Sequence, residues 1–317
     1  MSFQVGSKTV GASARVCIVA EASANHHRDL PTAERLVIEA ARAGADCVKF
    51  QTALPDEIAA EGVEIPRGHD TLHDAWLDRL GKRTLRGLLA SAGLPRPWHR
   101  PLKALAEREG IEFLSTPFGL DSARFLVEEI GIRALKVASG DLTFTPLLEY
   151  AAGTTLPIFL STGGATLYEV IGAVNGPLRQ ADLRLAIMHC VSSYPCDPAD
   201  ANLRAIPALR QRFGMPVGWS DHTLSIEAVP VMAVMLGATV LEKHFCVDDD
   251  LETADTRHSL APDAFARMVA AVRAVPAILG DGKKHPRPSE MHDRLWARRD
   301  PSDWLRPVKE AREGRWE

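Results

Sequence analysis

MPVGWSDHTLSIEAVPVMAVMLGATVLEKHF, residues 215–245, holds one complete strand–helix–strand unit. Pro216–Asp221 is a short apolar run that ends in polar residues. Ile226–Leu236 carries apolar residues at helical spacing, and Thr239–Phe245 is a second short run, closing again on ionisable groups. Strands alternating with helices imply a parallel sheet with crossover helices, and nearly continuous apolar strands imply burial on both faces. Working outward, the same kind of run recurs at Val16–Ala22, Cys47–Thr52, Glu112–Thr116, Ala134–Ser139, Pro157–Thr162 and Arg184–Val191. The other clear helical patterns are Thr32–Ala43, Asp121–Glu129, Ala165–Val174, Leu203–Phe213 and Pro262–Leu279. Eight such strands fit a closed (β/α)8 barrel better than an open sheet.

Two stretches interrupt the rhythm. Residues 53–111 separate the second and third strands and hold Trp76, Trp98, His99 and the turn GLPRPWHRP. A long excursion at the catalytic end of a barrel reads as a lid or a binding loop. The charged stretch 281–317, with Trp296, Trp304 and Trp316, reads as a C-terminal extension that is partly helical at best. The expected division is a catalytic barrel over 1–280 and an extension over 281–317.

Bulk properties narrow the function. The chain has 317 residues, 46% of them hydrophobic, which suits one large domain. A net charge of −4 offers no basic field for nucleic acid. No apolar run approaches the ~20 residues of a membrane helix, and the first residues lack the apolar core of a secretion signal. The expectation is therefore a cytoplasmic protein with neither nucleic acid nor membrane as partner. The five cysteines show no CxxC spacing and read as buried reduced thiols.

A barrel gathers its reactive groups where the C-terminal ends of its strands converge. Those ends supply Glu21, then Lys49 and Gln51, then Ser115 and Thr116, then Lys136, Ser139 and Asp141. Ser161 and Thr162 follow, then His189, Ser192 and Tyr194, then Ser220, Asp221 and His222, and last Glu242, Lys243 and His244. One lysine in a strand would be unremarkable, since it can reach out along the helix layer. Two, at Lys49 and Lys136, each followed by an amide or hydroxyl, favour a phosphate or carboxylate site. His222 and His244 end adjacent strands, where two imidazoles can share one divalent ion, with Asp221 and Glu242 nearby. Hydroxyls at Thr116, Ser139, Ser161, Ser192 and Ser220 suit a ring of donors to phosphate oxygens. No Walker loop, GxGxxG or GxSxG elbow is present.

The strings AEASANHH, ADCVKFQT, FLSTPF, LKVASGDLT, LSTGGAT, HCVSSYP, GWSDHT and LEKHF resemble the N-acetylneuraminate (sialic acid) synthase family, which includes legionaminic and pseudaminic acid synthases. The likeness runs in order from about Val16 to Arg299. It implies condensation of phosphoenolpyruvate with an N-acylated hexosamine and water, giving a nine-carbon 2-keto-3-deoxy sugar acid and phosphate. By resemblance, His222 and His244 are the metal ligands, for Mn2+ first, with Mg2+ or Co2+ as the other candidates. Lys49, Thr116, Lys136, Ser139, Ser161, Ser192 and Ser220 match phosphoenolpyruvate contacts, and Glu21, Gln51, Asp141, Tyr194 and Asp255 match the sugar end. Glu21 and Glu242, with the two lysines, match the catalytic set.

Several positions depart from the family pattern. Gly164 replaces a methionine in LSTGGAT, NHHR replaces NHNG, Ser192 stands where some sialic acid synthases carry Asn, and TADTRHSL keeps Asp255 without its Gly-Pro lead-in. SEMHDRLWARRD resembles the linker to an antifreeze-like domain, which in the family caps the partner's site. The resemblance thus implies a homodimer. It also leaves the cap to be supplied by the 53–111 excursion, by a tail bearing Arg294, Arg298, Arg299, Trp304 and Arg306, or by a separate capping protein. The alternatives are another phosphoenolpyruvate-dependent barrel aldol synthase, making shorter keto acids, and a catalytically silent sugar- or phosphate-binding homologue.

Overall fold

The computed structural model of the chain describes residues 1–66, 77–79, 81, 83–247, 253 and 255–315. Trp76 and Trp316, singled out above, lie outside the described residues. The chain begins with an antiparallel hairpin, β1 (Ser2–Val5) and β2 (Lys8–Gly11), turning at Gly6, whose φ of 55° favours glycine. Eight parallel strands follow: β3 (Cys17–Glu21), β4 (Cys47–Thr52), β5 (Glu112–Pro117), β6 (Leu135–Val137), β7 (Ile158–Ser161), β8 (Leu185–Cys190), β9 (Val217–Asp221) and β10 (Val240–His244). Their order is β5-β4-β3-β10-β9-β8-β7-β6, and β6 lies beside β5 at the remaining seam. Each falls within two residues of the run read from sequence, and the hairpin is an element that reading passed over.

Two buried layers explain the strand sequences. Residues such as Ile18, Ala20, Val48 and Phe50 face the helices. Their alternates Cys17, Val19, Cys47, Leu114, Phe159, Ala186, Met188 and Val240 fill the barrel interior, and Val5 and Val10 of the hairpin join that second cluster. Phe3 packs on Phe159 at 6.3 Å, and Ser7 N–H donates to Glu112 Oε1 at the start of β5 (2.8 Å). The hairpin thus plugs the N-terminal end of the barrel. All five cysteines are buried and outside any disulfide.

Helix Leu30–Arg42 shows how the wall is specified. Asp29 caps it by accepting from Thr32 N–H (2.9 Å), Pro31 occupies its first turn, and Ala33, Leu36, Val37 and Ala40 form its buried stripe. In the 53–111 excursion, Glu57 accepts from Asp121 N–H (2.7 Å) and from the Ser122 hydroxyl (2.6 Å), capping the helix that follows β5. Helix His99–Arg108 packs on β5 and on helix Leu30–Arg42, so this half of the excursion is barrel wall. His99, expected in a lid, is fully buried and shares a 2.7 Å hydrogen bond with Thr52 Oγ1. Trp98 packs edge-on against His26, with ring centres 5.9 Å apart.

The contacts divide the chain into Met1–Val275 and Pro276–Glu317. The second unit contains the short helices Met291–Ala297 and Lys309–Arg312, tied by Lys309 N–H donating to Asp300 Oδ2 (2.7 Å). Among the described residues, no helix is long and apolar enough to cross a membrane.

Candidate active site

Strand alternation decides which polar groups meet. Continuing the inward series past the apolar layer gives Glu21 on β3, Lys49 and Gln51 on β4, Thr116 on β5, Lys136 on β6 and Ser161 on β7. Ser220 and His222 continue it from β9, and Glu242 and His244 from β10. Register brings them level: His244 pairs with Glu21, Glu21 with Lys49, Gln51 with Thr116, and Glu242 with Ser220. Together with Ser139, Ser192 and Tyr194 these residues line a cavity of about 290 Å3 at the C-terminal mouth. That lies at the low end of ligand pockets, ~300–1,000 Å3, and suits a compact polar substrate rather than a dinucleotide.

The floor of the cavity is an alternating set of four buried charges. Lys49 Nζ lies 2.6 Å from Glu21 Oε2 and 3.6 Å from Glu242 Oε1, and donates to Thr116 Oγ1 at 2.9 Å. Lys136 Nζ donates to both oxygens of Glu242, at 2.8 and 3.1 Å, and the Ser220 hydroxyl donates to Glu242 Oε1 at 3.1 Å. The lysines therefore point inward as the sequence implies, and each already faces a protein carboxylate. Burial tends to raise both carboxyls, with different outcomes. Burial pushes Glu21 up to about 7 against the opposing field of Lys49. At Glu242, Lys136 and Lys49 together outweigh burial and pull it down to about 2. Burial likewise depresses the Lys49 ammonium, but Glu21 and Glu242 win and hold it above its ordinary value.

Opposite the β7 end, Ser139 Oγ accepts from Gly163 N–H (3.0 Å). A Cβ at Gly163 would sit 2.3 Å from Ser192 Oγ and 3.0 Å from both Cys190 Sγ and Ser139 Oγ, so only glycine fits this cradle.

The imidazoles form the other wall. The His222 and His244 ring centres are 5.6 Å apart, and His222 Nδ1 is held 2.6 Å from Val191 O. Burial lowers His222 to about 4 and drives His244 well below its ordinary value, so both are neutral, as metal ligands must be. A third imidazole, His258, packs on His244 with ring centres 4.4 Å apart. His258 Nε2 is 3.4 Å from Asp255 Oδ1. Burial would raise the Asp255 carboxyl, but His258, His244 and the Ser23 hydroxyl hold it well below the usual range. One ligand atom each from His244, Asp255 and His258 falls within 4.8 Å of the others. His244 Nδ1 and His258 Nδ1 are buried with no hydrogen-bond partner, a donor set that fits a divalent ion.

The loop bearing Asp255 and His258 is stapled by Asn25. Its amide donates to Phe245 O and to Ser259 Oγ, both at 2.9 Å, and its Oδ1 accepts from the Thr253 and Thr256 hydroxyls. Ser23, at a left-handed φ of 44°, donates to Asp255 and accepts from Gln51 Nε2 (2.7 Å), which also donates to Glu21 Oε1 (3.0 Å).

Most residues named from sequence thus converge, but Ser115, Thr162, His189 and Lys243 do not line the cavity: Ser115 bonds Thr52, Thr162 donates to Met188 O, His189 Nε2 meets Ala201 O and Lys243 donates to Thr223 O. Three further residues do not join it as read. Asp221, expected near the metal, is fully buried against Lys243 at 3.1 Å, because residues between inward-facing neighbours point to the helix layer. Asp141 sits in the turn after β6, its Oδ2 buried without a partner and its carboxyl raised to about 6 by burial. Asp255 belongs to the imidazole cluster behind the mouth. His258 was not singled out by sequence. Its only signal was one more histidine in TADTRHSL, an irregular segment where periodicity says nothing about direction.

Comparison with known proteins agrees with this geometry. Residues 36–284 match the profile of the NeuB family. The chain is 38% identical over 298 residues to the N,N'-diacetyllegionaminic acid synthase of Legionella pneumophila, covering 93% of this chain and 82% of that protein. It is 36% identical over 284 residues to a pseudaminic acid synthase of Campylobacter jejuni, covering 90% and 80%. The crystal structure of N-acetylneuraminic acid (sialic acid) synthetase from Leptospira borgpetersenii, in complex with citrate, superposes with a TM-score of 0.77 at 34% identity, over 92% of this chain and 95% of that one. A (β/α)8 barrel with two lysine–glutamate pairs beneath paired histidines, matched in sequence over most of its length, is an enzyme of the NeuB family.

Proposed function

We propose that this enzyme condenses phosphoenolpyruvate with the open-chain aldehyde of an N-acylated hexosamine and water, releasing phosphate and a nine-carbon 2-keto-3-deoxy acid. The observation that carries the reading is the buried Lys49–Glu21 and Lys136–Glu242 arrangement, with His244 in register with Glu21 and His222 lining the same cavity. In this reading Lys49, Lys136, Thr116, Ser139, Ser161, Ser192 and Ser220 take the phosphate and carboxylate of phosphoenolpyruvate. Gln51 and Tyr194, which line the cavity, serve the acceptor end. A divalent ion at His222 and His244, Mn2+ by resemblance, supplies Lewis-acid polarisation of the aldehyde carbonyl.

The chain's own groups account for the remaining steps. An incoming multiply charged anion takes over the lysine ammonium protons now given to Glu21 and Glu242. The lysines hold it with its C3 toward the aldehyde carbon, so orientation lowers the barrier. The C2=C3 π pair forms the new C3–C bond, the carbonyl π electrons move to the aldehyde oxygen, which takes up a proton to become a hydroxyl, and water adds to the electron-poor C2. Glu21, with its carboxyl near neutrality, takes the water proton. Glu242 stays ionised and balances the lysines. The tetrahedral carbon then expels phosphate and becomes the 2-keto group.

The test is phosphate release from phosphoenolpyruvate, screened over N-acylated and plain aldehyde sugars with divalent ions. Turnover with N-acylated hexosamines is expected, and turnover restricted to four- or five-carbon sugars would instead mark a shorter-chain synthase. Lys136→Met should raise the KM for phosphoenolpyruvate far more than that for the sugar, with a thermal melt confirming the fold.

A further inference from the structure

We propose that His258 is a third imidazole ligand to the divalent ion, with Asp255 supplying a carboxylate, so that the ion is held by more than the His222–His244 pair. The inference rests on the reading that an ion sits at this mouth, and deepens it.

Four observations carry it. His258 is 1% exposed, yet its Nδ1 has no hydrogen-bond partner, and its Nε2 reaches Asp255 only at 3.4 Å. Buried polar groups are nearly always satisfied, so a nitrogen left bare beside two other imidazoles points to a missing partner with a positive charge. His244 Nδ1 is bare in the same way. The ligand atoms of His244, Asp255 and His258 lie within 4.8 Å of one another. Around an ion with bonds of ~2.0–2.2 Å, opposite ligands stand ~4 Å apart, so a sub-ångström shift brings these three onto one ion, with His222 reaching it from further off, its ring centre 5.6 Å from that of His244 and 6.5 Å from that of His258. Finally, the loop is fixed before any ion arrives, by the Asn25 amide and by Ser23 on Asp255.

Chemistry follows from the donor count. Imidazole-rich sets favour Co2+ and Zn2+ over Mg2+, which prefers an all-oxygen shell. This chain should therefore bind Co2+ alone tightly and discriminate strongly against Mg2+.

The competing account makes His258 only an orienting partner for Asp255. Loss of an outer-shell partner typically costs ~10–100-fold in metal affinity, so affinity alone does not separate the two accounts. We would titrate the full chain with Co2+ alone by calorimetry and by visible absorption. His258→Ala, His258→Gln, Asp255→Asn and His222→Ala would be compared after metal-free thermal melts. The expected result is one Co2+ per chain in the wild type, with affinity falling at least ~100-fold in both His258 variants and the visible bands changing in position and intensity. Weakened binding with unchanged bands would overturn the proposal in favour of an orienting role. Unchanged binding in the His258 variants with loss in His222→Ala would overturn it too, while leaving the two-histidine reading standing. No Co2+ binding by the wild type would remove both.

Discussion

Glu21 and Glu242 meet two fates within reach of one lysine. Both are buried and both face Lys49, but Glu242 also holds Lys136, and that second ammonium separates a carboxyl near 7 from one near 2. Only the first can exchange protons around neutrality, which is why it is the candidate base. A base works in its deprotonated form, so turnover should rise as pH increases through about 7 and level off above it. Glu21→Gln should abolish that limb and lower kcat by ~10²–10⁴-fold, measured as a pH–rate profile at saturating substrates. An unshifted acid limb in the variant would move the role elsewhere. Sequence gave both glutamates and both lysines at strand ends but not their pairing, because which carboxylate faces which ammonium depends on barrel register across strands far apart in the chain. Asp221, by contrast, was expected beside the ion although the strand pattern already argued against that. It lies between Ser220 and His222, and alternation alone sends it outward to Lys243.

Among elements, the strands were readable because burial on both faces leaves few polar positions except at the catalytic ends. The segment around Asp255 was not, since a loop has no period to say which side chains face inward. Its order comes instead from one residue at the far end of the sequence. Asn25 makes four hydrogen bonds that tie Phe245, just past β10, to Ser259 and the two threonines. Asn25→Ala should cost roughly 2–4 kcal/mol, at ~1 kcal/mol per net hydrogen bond, read from chemical denaturation. It should also weaken divalent-ion binding, because Asp255 and His258 lose their anchorage. A stable variant with undiminished ion affinity would show that the loop holds itself. The hairpin β1–β2 escaped notice for a different reason. Its strands have four residues each, and Val5 and Val10 are too few to display a pattern until they are seen filling the barrel.

For the whole molecule, that hairpin has a kinetic meaning. A tube sealed at one end by Val5, Val10 and the apolar interior admits and discharges everything through a single doorway. The Lys136–Glu242 pair lies two residues, ~6–7 Å, further down β10 than His244. Whatever occupies the lysine floor must queue ahead of whatever meets the histidines. Phosphoenolpyruvate should therefore enter first and the sugar second, and the sugar acid should depart before phosphate is free to go. Steady-state inhibition reports this directly: an unreactive sugar analogue should be uncompetitive against phosphoenolpyruvate, whereas competition between them, or a noncompetitive pattern, would mean a second way in.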